Sequence, residues 1–197
     1  MPDVFLDKDF KDDWDEFVIN AKLAEHYNMA AQISGALLAP RNPILDALLP
    51  SLLYINLMSL LDGALDLYID IKKLCIPKAY RNDLNGKIGF LMDQNVVKNG
   101  AALHTLRRKR NEAAHEVKHV DWNFFHDAID VVNEELKHLG FVDDKPEFQP
   151  FAERGAVKSS EDPGILGTRE FRCGLKYPGG QLAAEFKWSE KLHRSRG

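Results

Sequence analysis

Apolar residues recur at intervals of three and four positions through the first 142 residues of the chain, which is the spacing of an α-helix. Prolines and glycines interrupt this pattern and divide it into five helices. The sequence therefore predicts an all-α fold, an antiparallel bundle of about five helices over residues 1–142. The first three helices are expected at about 12–37, 50–74 and 81–97. The fourth is expected to start just after Asn99-Gly100, and the fifth is expected at 122–139.

The C-terminal part of the chain has a different pattern. Residues 143–168 are polar, contain three prolines and show no apolar period, so they are expected to form a linker. From residue 169 to 188, apolar and polar positions alternate on both sides of Pro178-Gly179-Gly180. This alternation predicts a β-hairpin. Residues 169–197 are accordingly expected to be a small β-hairpin extension of the bundle.

Helix two is apolar on nearly every side except for one polar stripe. Its members are three or four residues apart, which places them on one face of the helix. The stripe is either the solvent side of a bundle helix or one wall of a polar cleft. It consists of Asn56, Ser59, Gly63, Asp66 and Asp70.

The same helix is long enough to raise the question of a membrane span. It contains Asp46, Pro50, Asp62 and Asp66, each of which is costly at membrane depth. We therefore expect a buried core helix and no membrane partner. The N-terminal residues are acidic and lack the apolar segment of a secretory signal, so a cytoplasmic location is predicted.

Composition limits the kinds of partner that the chain can attract. The chain has 197 residues and a net charge of -4, so it lacks a global field that would attract nucleic acid. Binding to RNA or DNA must depend on a local basic patch, and the densest one is the run Arg107-Arg108-Lys109-Arg110. Cys75 and Cys173 are too few for a disulfide framework and lack metal-ligand spacing.

The basic run is followed by a histidine within the sequence RRKRNEAAHE, residues 107–116. On a straight helix Asn111 and His115 lie on one face, and Arg108 lies on it too. Arg110 is five residues before His115 and is rotated about 140° away from it. The two side chains therefore converge only if a two-fold axis near the motif brings a second copy of the chain alongside.

An arginine beside a histidine suits RNA cleavage without a metal ion. The guanidinium can hold a phosphodiester and stabilise its developing charge, while the imidazole can accept or donate a proton near neutral pH. The simpler interpretation is a solvated helix face, with Glu112 paired to Arg108 and His115 acting as a cation in the last turn. A metal site is disfavoured because only His115 and His119 have ligand spacing on a helix.

The stretch LHTLRRKRNEAAHE, residues 103–116, resembles the motif of the HEPN superfamily, in which an arginine precedes a histidine by four to six intervening residues. The RN..AH variant of that motif is present here as well. The resemblance implies a helical bundle that dimerises through the motif-bearing helices. It also implies a metal-independent endoribonuclease without a cofactor, acting as a toxin or phage-defence effector and controlled by an antitoxin partner.

Carried onto this chain, the resemblance assigns catalysis to Arg110 and His115. Asn111, together with Arg107 and Arg108, would bind the RNA substrate. Arg108 also satisfies the motif spacing, so the sequence leaves two candidates for the functional arginine. The opposite wall of the cleft is expected to include Asn56, Ser59 and Asp66.

Two other functions remain open from the sequence. The first is a non-catalytic HEPN-like module that binds a nucleotide, a nucleic acid or a protein partner through the same cleft. The second is a structural bundle in which the motif holds the dimer together.

Overall fold

The computed structural model of the chain describes residues 5–33, 43–115, 118–162 and 165–193. Within these ranges it contains five helices and a three-stranded antiparallel sheet, so the all-α prediction is wrong and the fold is a mixture of helices and sheet. The helices are α1 (Lys8–Ile33), α2 (Pro43–Ile71), α3 (Leu84–Asp93), α4 (Gly100–His115) and α5 (Trp122–Leu139), and the strands are β1 (Gln149–Ser159), β2 (Ile165–Lys176) and β3 (Leu182–His193).

The sheet is larger than the predicted hairpin because it includes a strand in the segment expected to be a linker. The strand order is β1-β2-β3, and both pairings are antiparallel. Along β1 only Phe151 is half-buried and every other side chain is exposed. A strand exposed on both faces has no reason to alternate apolar and polar residues, so its sequence carries no period of two. Pro150, near its start, is tolerated because β1 is an edge strand.

The hairpin itself is confirmed, and both strands are longer than predicted. Lys176 and Leu182 end the ladder at the turn, where the Tyr177 amide donates to the Gln181 carbonyl at 2.8 Å. Gly180 has a φ of 84°, a left-handed conformation that favours glycine. The alternation detected in the sequence corresponds to the buried side chains of β2, namely Phe171, Cys173 and Leu175.

The helices agree with the predicted ones in number and order, but some ends differ. α2 begins at Pro43, seven residues before Pro50, which lies inside the helix. α3 is shorter than expected because Asp83 caps it, with its carboxylate accepting from the Gly86 amide at 2.8 Å. α5 has the predicted bounds, with Asp121 as the N-cap and Gly140 in the left-handed conformation just past its end. Residues 34–37 of predicted helix one lie outside the described residues.

The described residues form two compact units. The helical unit takes its residues from Met1–Asp15 and Arg41–Lys145, and the sheet unit takes its residues from Glu16–Pro40 and Pro146–Gly197. The end of the helical unit is close to the predicted boundary at residue 142, but most of α1 is assigned to the sheet unit. Inside that unit His26 donates from Nε2 to the carbonyl of Phe151 at 2.9 Å, which ties α1 to β1.

The core of the helical unit is built around α2. Its Leu57, Leu61 and Leu65 side chains are fully buried, and complete burial of one such side chain contributes about 1.5–3 kcal/mol. By length and composition alone, Ala47–Ile71 would suffice to cross a membrane, which is weak evidence because core helices pass the same test. The other fully buried residues of this core include Tyr54, Met58, Ile88, Leu91, Leu103, Phe125 and Leu136.

Candidate functional site

The start of α4 is fixed by a buried carboxylate of α5. Glu135 is 0% exposed, and its two oxygens accept from the Lys98 and Asn99 amides at 2.9 and 2.8 Å. At the first residue of α4, a Cβ on Gly100 would lie 2.2 Å from Sδ of Met92, so a larger residue there would have to displace the Met92 side chain. These contacts set where the helix begins and therefore where its later residues lie.

The middle of α4 is held against α2. Tyr54 of α2 is fully buried and donates from its hydroxyl to the Leu106 carbonyl at 2.6 Å. Burial raises the pKa of the Tyr54 phenol well above its ordinary value of 10, so the group stays a neutral donor. Leu103 and Leu106 are buried on the same helix, and Arg107 and Arg110, each four residues after one of them, continue that face and are half-buried.

A cleft of about 320 Å³ lies beside these basic residues, between α2, the start of α3 and α4. α4 contributes three polar residues at helical spacing, which are Arg107, Arg110 and Asn111. The other polar residues that line the cleft are Ser59 and Asp62 of α2, and Asn82, Asp83 and Asn85 at the start of α3. The cleft therefore combines two guanidinium groups with amide, hydroxyl and carboxylate groups.

Both carboxylates of the cleft already have cationic or amide partners. The Asp62 carboxylate lies 2.6 Å from Nζ of Lys87, and the Asp83 carboxylate caps α3. Arg107, by contrast, is half-buried, and its Nε atom is buried without a hydrogen-bond partner in the described part of the chain. Guanidinium groups that are not neutralised by these acids can bind an anion.

Four of the predicted site residues lie together in this cleft, and four do not. The four that line it are Arg107, Arg110 and Asn111, together with Ser59 from the predicted opposite wall. All five residues of the polar stripe on α2 are exposed, so that stripe is the solvent side of the helix, with Ser59 at the margin of the cleft. The predicted residues outside the cleft are Arg108, His115, Asn56 and Asp66.

Arg108 points to solvent and forms a weak contact of 3.4 Å from Nη2 to the Thr105 hydroxyl. The simpler interpretation of the motif expected an ion pair between Arg108 and Glu112. Glu112 instead lies 3.7 Å from Lys109 and 3.6 Å from Lys118. Arg110, with its side chain in the cleft, is therefore the better placed of the two candidate arginines.

His115 is exposed and is the last residue of α4. Relative to Arg110 it is about 7.5 Å further along the helix axis and rotated about 140°, as helical geometry requires. A single copy of the chain consequently does not bring the predicted catalytic pair into one cleft.

The acidic and amide residues that complete the cleft were not predicted from the sequence. Asp62 is three residues after Ser59 and could have been found as a neighbour of the polar stripe. Asn82, Asp83 and Asn85 line the cleft only because α3 packs against α2, and no local sequence pattern indicates that contact.

Among the described residues, no group of three or more His, Cys, Asp or Glu side chains could hold a metal ion. His104, three and four residues before Arg107 and Arg108, is partly buried. Burial, with the charges of those two arginines, lowers its pKa below the ordinary value of 6.5.

Comparison with models of known protein families found no match, and searches of curated proteins and of solved structures found none either.

Proposed function

We propose that the chain is a cytoplasmic, metal-independent endoribonuclease of the HEPN type. The observation that carries the proposal is the position of Arg107, Arg110 and Asn111 in one cleft, three residues that the motif had already singled out. Two guanidinium groups and an amide are suited to hold an RNA phosphodiester, because arginine binds phosphate through paired hydrogen bonds.

Cleavage would proceed by internal attack. The 2′-hydroxyl oxygen bonds to the adjacent phosphorus while the bond from phosphorus to the 5′-oxygen breaks, leaving a 2′,3′-cyclic phosphate and a 5′-hydroxyl. Arg110 stabilises the negative charge that develops on the phosphoryl oxygens. A neutral His115 accepts the proton of the 2′-hydroxyl, and a protonated histidine or water supplies one to the leaving oxygen.

The chemistry requires a homodimer, because Arg110 and His115 of one copy point in different directions. A two-fold axis near the motif would bring His115 of a second copy to the cleft of the first. As a toxin or defence effector, such an enzyme would be harmful unless restrained, so an antitoxin protein is the partner expected with it.

The test is expression of the wild type beside Arg110→Ala and His115→Ala, with total RNA examined at early times. RNA fragments that end in a cyclic phosphate should appear with the wild type and be absent with both variants. Arg108→Ala, which changes an exposed arginine outside the cleft, is the matched control and should cleave like the wild type. Purified protein that leaves varied RNAs intact in the presence of a chelator would contradict the proposal.

The runner-up is a non-catalytic module that binds RNA or another phosphate-bearing ligand. One observation favours it, namely that His115 does not line the cleft with the two arginines. This function predicts that Arg110→Ala weakens binding whereas no variant changes an RNA product. Labelled RNA, measured for binding and for cleavage in one experiment, separates the two functions.

A further inference from the structure

A buried lysine lies directly behind the candidate cleft. Lys87 of α3 is only 4% exposed, which is rare for lysine unless it is paired. Its ammonium nitrogen lies 2.6 Å from a carboxylate oxygen of Asp62 and 2.6 Å from one of Asp66. The two acids are one helical turn apart on α2, so a single lysine holds both.

The contacts keep Lys87 charged despite its burial. Burial by itself disfavours the ammonium form, but the hydrogen bonds and charges of the two aspartates outweigh burial and raise the pKa of Lys87 above its ordinary value of 10.5. At neutral pH the group is therefore a fixed positive charge. It offsets one of the two negative charges that α2 places beside the cleft.

Only one of the two aspartates belongs to the cleft. Asp62 lines it together with Arg107 and Arg110, whereas Asp66 does not. A carboxylate in the same cleft as two guanidinium groups competes directly with any phosphate for them. In the described part of the chain Asp62 is paired with Lys87 and forms no ion pair with either arginine.

We propose that Lys87 is a positioning residue for the cleft: it holds the Asp62 carboxylate away from Arg107 and Arg110, so that both arginines remain available to a phosphate of RNA. This inference rests on the proposed function, since it assumes a phosphate-bearing ligand. It goes beyond that function by assigning a role to a residue that does not itself line the cleft.

The test measures binding of a fluorescein-labelled single-stranded RNA by anisotropy at fixed ionic strength, with 2′-O-methyl groups throughout the RNA so that it cannot be cleaved by internal attack. Lys87→Met leaves Asp62 without its partner, and we expect RNA affinity to fall about tenfold, since charges a few ångströms apart near a protein surface interact strongly. The matched control is Lys78→Met, an exposed lysine outside the cleft that makes the same change in net charge. It should bind RNA within about twofold of the wild type because salt screens distant charges.

Two further variants separate this role from simple packing. The triple variant Lys87→Met, Asp62→Asn, Asp66→Asn removes the ion pairs and the competing charges together, and it should regain wild-type affinity to within about twofold. Asp62→Asn alone keeps the contact between Lys87 and Asp66, and it should bind RNA about threefold more tightly, since one competing charge is lost. Circular dichroism checks that each variant is folded.

The possible results distinguish a failure of this inference from a failure of the proposed function. If the wild type binds RNA and Lys87→Met binds it equally well, the inference is wrong while the proposed function stands. If the triple variant stays as weak as Lys87→Met, or Asp62→Asn weakens binding, Lys87 acts through packing and the inference is again wrong. If the wild type binds no RNA at all, the proposed function and the inference fail together.

Discussion

The helical unit and the sheet unit differ in the kind of polar contact that stabilises each of them. In the helical unit a few buried side chains connect one element to the next, as Glu135 does for α4 and α5 and Tyr54 for α2 and α4. In the sheet unit several ion pairs lie across neighbouring strands with at least one partner partly exposed, as between Arg172 and Glu185 at 2.8 Å. Removing a buried partner leaves a polar group that water cannot reach, whereas removing an exposed partner leaves a group that water can hydrate. The helical unit should therefore be far more sensitive to single polar substitutions.

The largest effect is expected at Glu135. Glu135→Ala leaves the Lys98 and Asn99 amides without their acceptor, and it should lower the free energy of unfolding by about 3 kcal/mol, measured by urea denaturation. Hydrogen exchange should become faster at the start of α4. Glu134→Ala is the control, because Glu134 is exposed on the same helix, and it should change stability by less than about 0.5 kcal/mol.

The sheet unit should respond to changes in backbone packing rather than in charge. In Gly174→Ala the new Cβ would lie 2.2 Å from the Ala184 carbonyl oxygen and 2.9 Å from Cα of Glu185. We expect a loss of about 2 kcal/mol, with faster hydrogen exchange in β2 and β3, since overpacking forces backbone shifts. Gly179→Ala, where a Cβ meets nothing within 4 Å, is the control. Equal stability of the two variants would contradict the prediction.

A smaller effect is expected at Tyr54. Tyr54→Phe removes the hydrogen bond to Leu106 and should cost about 1 kcal/mol at neutral pH. Because burial raises the pKa of the folded-state phenol, the unfolded chain ionises first. The stability that the phenol contributes is complete below pH 10 and decreases as the pH rises further. The difference between wild type and variant in urea denaturation should therefore shrink above pH 10.

The smallest effect is expected in the sheet. Arg172 pairs with Glu185 and, at 3.5 Å, with Glu153, but its side chain is 43% exposed. Arg172→Met should leave the urea midpoint unchanged, and high salt should leave the wild type unchanged as well, because water and ions already screen these charges. A clear loss of stability in this variant would show that the contrast between the two units is wrong.

Differences in burial also explain which helices and strands could be predicted from the sequence. The bounds of α5 were predicted correctly because it buries one stripe and Gly140 ends it, and the structure adds Asp121 as the cap of its first turn. The hairpin was predicted because β2 buries the alternate side chains of Phe171, Cys173 and Leu175. β1 was missed because nearly all of it is exposed. An apolar period appears in the sequence only where an element buries one of its sides, and a strand exposed on both faces buries neither.

The residues of the candidate site also differ in whether the sequence could predict them. Arg107, Arg110 and Asn111 stand close together in the sequence, so a local motif was enough to select them. Asp62 and Lys87 are brought together by the packing of α3 on α2, across 25 positions of sequence. A local motif cannot contain such a contact, because it depends on how two helices pack.

The exposure of β1 has a consequence for how the protein behaves at high concentration. Edge strands offer unpaired backbone groups to other molecules, and intermolecular strand pairing is the usual beginning of aggregation. β1 carries Glu153, Arg154 and Lys158, and a register shift occurs between Arg154 and Val157. Charges and an irregular backbone both hinder the stacking of one sheet on the edge of another. Solubility during purification and storage should therefore depend on these three side chains, even though they add little to the stability of the fold.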